Sequence, residues 1–303
     1  MQLKHIESEP RLGELVYSAP ADWKISCLWE AHGNWMAGIY DNDTRRDSKI
    51  IWNGNPIFTC TAETIGQPTE WNNYVAAAGE CGKLIWSKSG RVGESISLKW
   101  ASACALWGNA PVVINWPGKS RKAKARDDDR NQVIDCLTGH VVCQMPGTGI
   151  AMAALEVNTL LVAAIADSDD KMHGLSISDG RLIRAASCQC VTLFCGKLLY
   201  TTTNRVCQFD GTRDLCLGEL DCEKIMDMRV VNRNAENPYG TLRIAGANHD
   251  TVWDVDNMGQ VRTVARFDHG NAEVGGSCFR VRASDNYFSR CENGTQAKVY
   301  RIK

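Results

Sequence analysis

Short apolar runs separated by glycine, asparagine and aspartate follow one another along almost the whole chain. Runs of about four to eight residues bounded by turn residues of this kind are typical of β-strands. In six places two such runs flank a tight turn, which predicts a β-hairpin. The predicted hairpins are residues 50–58, 84–92, 133–142, 175–183, 206–215 and 252–261. Because they recur at intervals of roughly 30 to 50 residues, the pattern indicates a repeated unit.

Further apolar runs precede the hairpins, as a stable sheet requires, because an isolated hairpin is only marginally stable in water. The run directly before each hairpin predicts another strand, at residues 35–40, 74–78, 112–116, 160–165, 198–202 and 242–246. A still earlier run predicts the first strand of most units, at residues 25–29, 98–106, 150–155, 188–194 and 224–231. The repeated unit is therefore predicted to be a four-stranded antiparallel meander.

The last unit of the chain lacks a fourth strand of its own. Three strands are predicted at residues 278–282, 286–291 and 298–302, and an unassigned apolar run occupies residues 13–18. A ring of radial sheets leaves no free ends if the first strand of the chain completes the last sheet. We therefore expect an all-β fold, a single seven-bladed β-propeller of four-stranded antiparallel blades, closed by an N-terminal strand that completes the last blade.

This ring is expected to form one domain over residues 1–303, with residues 1–11 as an N-terminal tail and residues 117–132 as an inserted charged loop. Counts of six or eight blades stay open. The reason is that the second unit must draw its first strand from residues 62–73, which include Pro68.

One repeat carries a recognisable motif. Residues 242–255, which end in Trp253-Asp254, are similar to the strand, the Asp-containing turn and the Trp-Asp ending of a WD40 repeat. Residues 50–52 and 84–86 keep the tryptophan but not the aspartate, and the Gly-His pair of that family is not found before the first strands. The chain thus resembles a seven-bladed WD40-type propeller, over almost its whole length in architecture and in one blade in motif. The resemblance implies the fold and no functional subfamily.

Composition narrows the classes of protein. With 34 Lys+Arg against 35 Asp+Glu and 44% hydrophobic residues, the chain is neither disordered nor globally attracted to nucleic acid or anionic membranes. Residues 1–10 lack the apolar segment of a secretory signal, and no run approaches 18 apolar residues. The 14 cysteines are then expected to be reduced, in a protein that is cytoplasmic or otherwise intracellular, or assembled into a virion.

Charged loops between the second and third strands of three units are the candidate partner surface, because long loops on a rigid scaffold are where binding concentrates. These loops are predicted to share one face of the ring. Their candidate partner-binding residues are Arg45, Arg46, Lys119, Arg121, Lys122, Lys124, Arg126, Asp127, Asp128, Asp129, Asp169 and Asp170.

Nine of the ten tryptophans lie in the first 116 residues. Aromatic rings can stack on sugars, so a glycan ligand is open. Most of these tryptophans fall in predicted strands, where core packing accounts for them. Trp23 and Trp71 lie in connecting segments and are the candidate sugar-stacking residues.

Other chemistry finds little support in the sequence. Cys188, Cys190, Cys195 and Cys207 cluster, but a one-residue gap is poor spacing for zinc, and buried free thiols explain them better. Residues 167–170 lack the spacing of an EF-hand loop, and the six histidines lie far apart. We predict no catalytic residue, no metal and no cofactor.

The function that fits these features is a non-enzymatic protein–protein interaction scaffold, or a structural component of a larger assembly such as a viral or phage virion. The partners would be other proteins, without membrane insertion, and nucleic acid is not expected. A carbohydrate-binding, lectin-like propeller is the alternative, and a propeller hydrolase is the third interpretation. Because fold does not determine function, the virion role rests on analogy alone.

Overall fold

The computed structural model describes most of the chain, with short gaps. The described residues are 1–10, 13–31, 33–44, 47–61, 68–72, 74–79, 83–88, 91–98, 101–116, 130–147, 149–166, 174–185, 188–247, 249–267, 281–292 and 296–302. Within these ranges the regular structure is β-strand, and no helix is long and apolar enough to cross a membrane.

Twenty-nine strands are present among the described residues. The first two are β1 (Lys4–His5) and β2 (Glu14–Ser18). Sheet 1 contains β3 (Trp23–Ala31), β4 (Asn34–Asp41), β5 (Asp47–Trp52) and β6 (Asn55–Thr61). Sheet 2 contains β7 (Thr69–Trp71), β8 (Tyr74–Gly79), β9 (Lys83–Lys88) and β10 (Arg91–Ser97). Sheet 3 contains β11 (Ala101–Trp107), β12 (Ala110–Asn115), β13 (Asn131–Asp135) and β14 (Val141–Met145).

The second half of the chain continues the same order. Sheet 4 contains β15 (Ile150–Val157), β16 (Leu160–Ala166), β17 (Gly174–Ile177) and β18 (Leu182–Arg184). Sheet 5 contains β19 (Val191–Phe194), β20 (Lys197–Thr202), β21 (Arg205–Phe209) and β22 (Asp214–Glu219). Sheet 6 contains β23 (Lys224–Val231), β24 (Thr241–Ala247), β25 (Thr251–Val255) and β26 (Gln260–Ala265). The last strands are β27 (Val281–Ala283), β28 (Tyr287–Glu292) and β29 (Gln296–Arg301).

Sheets 1 to 6 are six propeller blades, each formed by four consecutive antiparallel strands. A further sheet, which we call the composite sheet, has the strand order β2-β29-β28-β27 and so joins the two ends of the chain. In it Leu15 pairs with Tyr300 and Ser18 with Lys298, antiparallel. The six predicted hairpins are confirmed, because the third and fourth strands of sheets 1 to 6 pair as neighbours.

Apolar clusters fill the spaces between neighbouring sheets. Sheets 1 and 2, 2 and 3, 3 and 4, 4 and 5, and 5 and 6 each share one cluster of buried side chains. The composite sheet shares one with sheet 6, which includes Phe288 and Val252, and another with sheet 1, which includes Tyr287 and Ile25. Cysteine and alanine are frequent at these junctions because the innermost strands converge and leave little room.

The predicted N-terminal tail lies on the rim between sheets 5 and 6. Backbone amides of Leu3 and Lys4 donate to the carbonyls of Leu217 and Gly259, each at 2.8 Å, and β1 pairs parallel with β26. Position 218 has to be glycine here, since a Cβ atom on it would lie 2.7 Å from that of Leu3. A sequence pattern does not reveal this contact, because only two residues enter the ladder.

Aspartates begin the turn between the third and fourth strands in sheets 3 to 6, at Asp135, Asp179, Asp210 and Asp256. In each case the carboxylate accepts hydrogen bonds from backbone N–H groups two to four residues later. Such side-chain acceptors add to the backbone hydrogen bonds that close the same turns. They therefore hold the outer hairpins at one geometry.

Acid should weaken the turn at Asp210 selectively. Hydrogen bonds from the hydroxyl and amide of Thr212 and from the amide of Arg213 hold the pKa of the Asp210 carboxyl well below its usual range. A depressed folded-state pKa contributes stability above the unfolded value of 3.8, and this is lost as the pH falls through the folded value.

We expect the urea midpoint of the wild type to exceed that of Asp210→Asn at pH 6, and the difference to shrink progressively below pH 4. The matched control is Glu223→Gln at an exposed site. An Asp210→Asn difference that is the same at pH 6 and pH 2.5 would contradict the role of this carboxylate.

Candidate functional site

A cavity of about 700 Å³ opens at one end of the central channel. It is lined by residues of the innermost strands β3, β7, β11, β15, β19 and β23, together with Ser284 and Asp285, which follow β27. Ligand sites in proteins commonly have volumes of about 300–1,000 Å³. At this opening, which we call the mouth, one ligand can contact sheets 1 to 6 and the composite sheet together.

β-Bulges recur in the innermost strands. The register shifts between Ile25 and Cys27 in β3, between Ala101 and Cys104 in β11, between Ala151 and Ala153 in β15, and between Ile225 and Asp227 in β23. A bulge leaves a residue outside the ladder and bends its strand. Some backbone groups near the axis are thereby free to bind side chains of other sheets.

The mouth has an ordered ring of side chains. The second-last residue of each innermost strand lines the cavity, and these residues in chain order are Glu30, Glu70, Leu106, Glu156, Leu193 and Val230. Sheets 1, 2 and 4 thus contribute carboxylates, whereas sheets 3, 5 and 6 contribute apolar side chains. Asp285 adds a carboxylate from the composite sheet.

Each of the three glutamates is oriented by a donor from a neighbouring sheet. The indole Nε1 of Trp29 donates to Glu70 at 3.2 Å, and the amide of Gly108 donates to Glu156 at 2.6 Å. Glu30 accepts from the amide of Asn286 at 2.8 Å and from its side-chain Nδ2 at 2.6 Å. The carboxylates are therefore held in place at the mouth before any ligand arrives.

Two guanidinium groups also line the mouth, that of Arg229 in β23 and that of Arg233 in the connection from β23 to β24. Arg229 binds Asp227 at 2.6 Å, and its guanidinium lies 5.1 Å from the ring centroid of Trp29. Arg233 is exposed at the rim. Four carboxylates and two guanidiniums thus line the cavity, with the positive groups on one side.

Tryptophans link successive sheets around this face. Trp71 donates its indole N–H to the carbonyl of Asn109 at 3.2 Å, and Trp107 donates to that of Thr159 at 2.8 Å. Both acceptors are turn residues with positive φ, 62° and 69°. Part of the tryptophan excess in the first half of the chain is explained by these hydrogen bonds, a role that core packing alone does not cover.

The two candidate sugar-stacking residues are both half-buried. The Nζ atom of Lys49 lies 4.3 Å from the ring centroid of Trp23, so one face of that ring is covered. Trp71 packs against the cluster between sheets 2 and 3. Both lie in strands, at the start of β3 and the end of β7, so their predicted place in connecting segments was wrong. They lie in different sheets, and sugar stacking by either stays a prediction.

The predicted partner-binding residues lie outside the described residues. This holds for Arg45, Arg46, Lys119, Arg121, Lys122, Lys124, Arg126, Asp127, Asp128, Asp129, Asp169 and Asp170. The described ends of the second and third strands that flank these residues lie at the other end of each antiparallel sheet from the mouth, where first strands turn into second strands.

The described cysteines form no disulfide with one another and are mostly buried, and the described residues hold no group of three or more His, Cys, Asp or Glu side chains arranged for a metal. Burial raises the pKa of Cys27 to about 11 and that of Cys104 to about 12. Cys188 packs between sheets 4 and 5 but Cys190 between sheets 5 and 6, because residues 188–190 are not regular strand.

Comparison with known proteins supports the β-propeller fold. No family model matches the chain, and no curated protein matches it. A chain from a crystal structure of the mitotic checkpoint complex is 8% identical, with 100% of this chain and 98% of that chain covered and a TM-score of 0.62. BBS1N in complex with ARL6DN, soaked with lead, is 14% identical, with 97% and 98% covered and a TM-score of 0.57. The WD40 domain of Neurospora crassa Pan2 is 11% identical, with 97% of each chain covered and a TM-score of 0.54. At identities this low, the likeness shows the β-propeller fold alone.

Proposed function

We propose that the chain is a protein-interaction scaffold, built as a closed ring of seven blades in which β2 completes the last one. The support is that the composite sheet packs against sheet 6 on one side and sheet 1 on the other. Arg243 of sheet 6 also donates to the carbonyls of Ser284 and Asp285, at 2.7 and 2.6 Å. A closed ring is rigid, and rigidity lowers the entropy lost when a partner binds.

The observation that carries this function is the lining of the channel mouth. Preoriented carboxylates on sheets 1, 2 and 4 line the mouth together with exposed or half-buried apolar side chains on sheets 3, 5 and 6. Charge complementarity favours a partner segment that places a lysine or arginine side chain among Glu30, Glu70 and Glu156. Its neighbouring apolar residues would contact Leu106 and Leu193.

The compared propellers support a binding role by analogy. Two of them come from complexes, BBS1N with ARL6DN and the mitotic checkpoint complex. Membership of a larger assembly such as a virion is a narrower version of the same function and stays a prediction. No described residue favours the lectin or hydrolase interpretation over it.

Photo-crosslinking from the mouth tests the proposal. We expect Leu106→p-benzoylphenylalanine to crosslink a discrete protein in cells that produce the chain. The control is Leu215→p-benzoylphenylalanine, because Leu215 is similarly exposed but lies on the outer strand β22. The double variant Glu70→Gln/Glu156→Gln should weaken binding by about two- to thirtyfold, since each exposed ion pair contributes about 0.2–1 kcal/mol. Equal or absent crosslinking at the two positions would contradict the mouth as the binding surface.

We propose the charged loops as a second binding surface of the same scaffold. Deletion of residues 119–130 should therefore weaken capture of the crosslinked partner. Unchanged capture, with an unchanged melting temperature, would contradict the loop surface and leave the mouth proposal standing.

A further inference from the structure

Two cysteines lie opposite each other at the outer edge of sheet 5. Cys207 of β21 and Cys216 of β22 are direct cross-strand partners, and the Cys216 thiol donates to the carbonyl of Gly218 at 3.9 Å. Cys207 is buried, in the cluster between sheets 4 and 5, whereas Cys216 is exposed. One thiol of the pair is therefore open to reagents in solution, and the second lies directly beneath it.

The backbone places the pair close to disulfide geometry. Directly opposed residues of antiparallel strands have Cβ atoms about 4.5–5.5 Å apart. A disulfide needs a Cβ separation of about 3.5–4.5 Å. The ladder has a register shift between Val206 and Cys207, immediately beside the pair. A small inward movement of the outer strand at this bulge would bring the sulfur atoms within bonding distance.

The N-terminal segment contacts the backbone of β22 at and beside Cys216. The Nε2 atom of Gln2 donates to the carbonyl of Cys216 at 3.4 Å, and the amide of Leu3 donates to that of Leu217 at 2.8 Å. These contacts use the backbone of β22, and Cys216 remains an exposed residue.

We propose that Cys216 is a thiol-modification site for low-molecular-weight disulfides such as oxidised glutathione, and that Cys207 resolves the adduct into a reversible Cys207–Cys216 disulfide. The Cys216 thiolate attacks one sulfur of the small disulfide, which breaks its S–S bond and releases one thiolate. The Cys207 thiol then loses its proton and attacks the Cys216 sulfur, releasing the second small thiol. Two protein thiols are oxidised, and one small disulfide is reduced to two thiols.

The order of these steps follows from exposure. Burial, followed by the influence of Cys216, raises the pKa of Cys207 to about 11. A thiol reacts as its thiolate, so the buried cysteine is the slower nucleophile and acts second. The resulting bond would tie the outer strand of sheet 5 to β21 beneath the N-terminal segment, so the redox state would set how firmly this part of the rim is held.

Peptide mass spectrometry after treatment of the full-length chain tests the proposal. Reduced, folded protein is incubated with oxidised glutathione, alkylated and digested without reductant. We expect a peptide linked through Cys207 and Cys216, which dithiothreitol separates. Cys207→Ala should instead accumulate a glutathione adduct on Cys216, and Cys216→Ser should yield neither product. Cys222→Ser, a half-buried control on the neighbouring turn, should still give the linked peptide.

The result for the wild-type protein is sufficient to overturn the proposal, so the test does not depend on whether the variants fold. An unmodified Cys216, or a glutathione adduct that persists on Cys216 without a linked peptide, would each overturn it. A linked peptide that contains Cys216 and a cysteine other than Cys207 would overturn the assignment of the partner.

Discussion

Removal of residues 1–18 is expected to lower the free energy of unfolding by about 3–6 kcal/mol, because burial of each large apolar side chain contributes about 1.5–3 kcal/mol. The deletion takes away β2, whose Val16 and Tyr17 pack on the cluster between the composite sheet and sheet 1. The ring of Tyr17 lies 5.5 Å from that of Trp35, centroid to centroid. It also leaves the outer edge of β29 without its pairing strand.

Urea unfolding followed by tryptophan fluorescence measures this loss. The control is deletion of residues 1–8, which removes β1 and the contacts of Leu3 with sheets 5 and 6 but keeps β2. We expect this shorter deletion to have a clearly smaller effect. If the two deletions lower the urea midpoint equally, β2 does not complete a blade.

Arg282→Met is expected to lower the free energy of unfolding by about 3–5 kcal/mol, because it leaves several buried acceptors without a charged donor. The guanidinium of Arg282 is almost fully buried at the axis. Its Nε donates to the carbonyl of Ser26 at 3.0 Å and its Nη1 to that of Met226 at 2.8 Å. Both carbonyls belong to bulges, in β3 and β23, so one side chain joins the composite sheet to both of its neighbours.

Chemical denaturation of Arg282→Met beside Arg262→Met checks this effect. Arg262 is exposed on β26, so its substitution removes a guanidinium of the same size with little expected change. A loss below about 1 kcal/mol for Arg282→Met, the range of an ordinary surface substitution, would contradict the bridging role.

The strands were predictable wherever the pattern is local. Alternating apolar runs and turn residues gave all six hairpins, because each depends on a few neighbouring residues. Predictions were less accurate where the ladder is irregular. The strand expected at residues 188–194 begins only at Val191, and the first strand of sheet 2 is short, Thr69–Trp71, directly after Pro68. Because proline has no backbone N–H to donate to a ladder, this strand begins only after Pro68.

The site was harder to predict than the strands. Glu30, Glu70 and Glu156 are far apart in sequence and become neighbours only through the equivalent positions of their strands in the ring. A signal existed in the sequence for two of them, since Glu30 and Glu156 each interrupt an apolar strand one residue before its end, whereas the short strand that holds Glu70, Thr69–Trp71, contains no apolar run. To recognise this signal as a site, one must know which residues of the different strands occupy equivalent positions. The periodicity of the sequence alone does not show this. The conspicuous charged loops instead fall outside the described residues.

Amide hydrogen exchange at β29 tests the closed ring most directly. In an antiparallel ladder, alternate N–H groups point to opposite neighbours. β29 lies between β28 and β2, so both alternating sets of its amides should be protected. The outer strand β14, which has no further paired strand among the described residues, provides the edge reference. The closed ring predicts slow exchange for the strand amides from Lys298 to Arg301, the residues that pair with β2, in the full chain, whereas rapid exchange of alternate amides, as in β14, would contradict it.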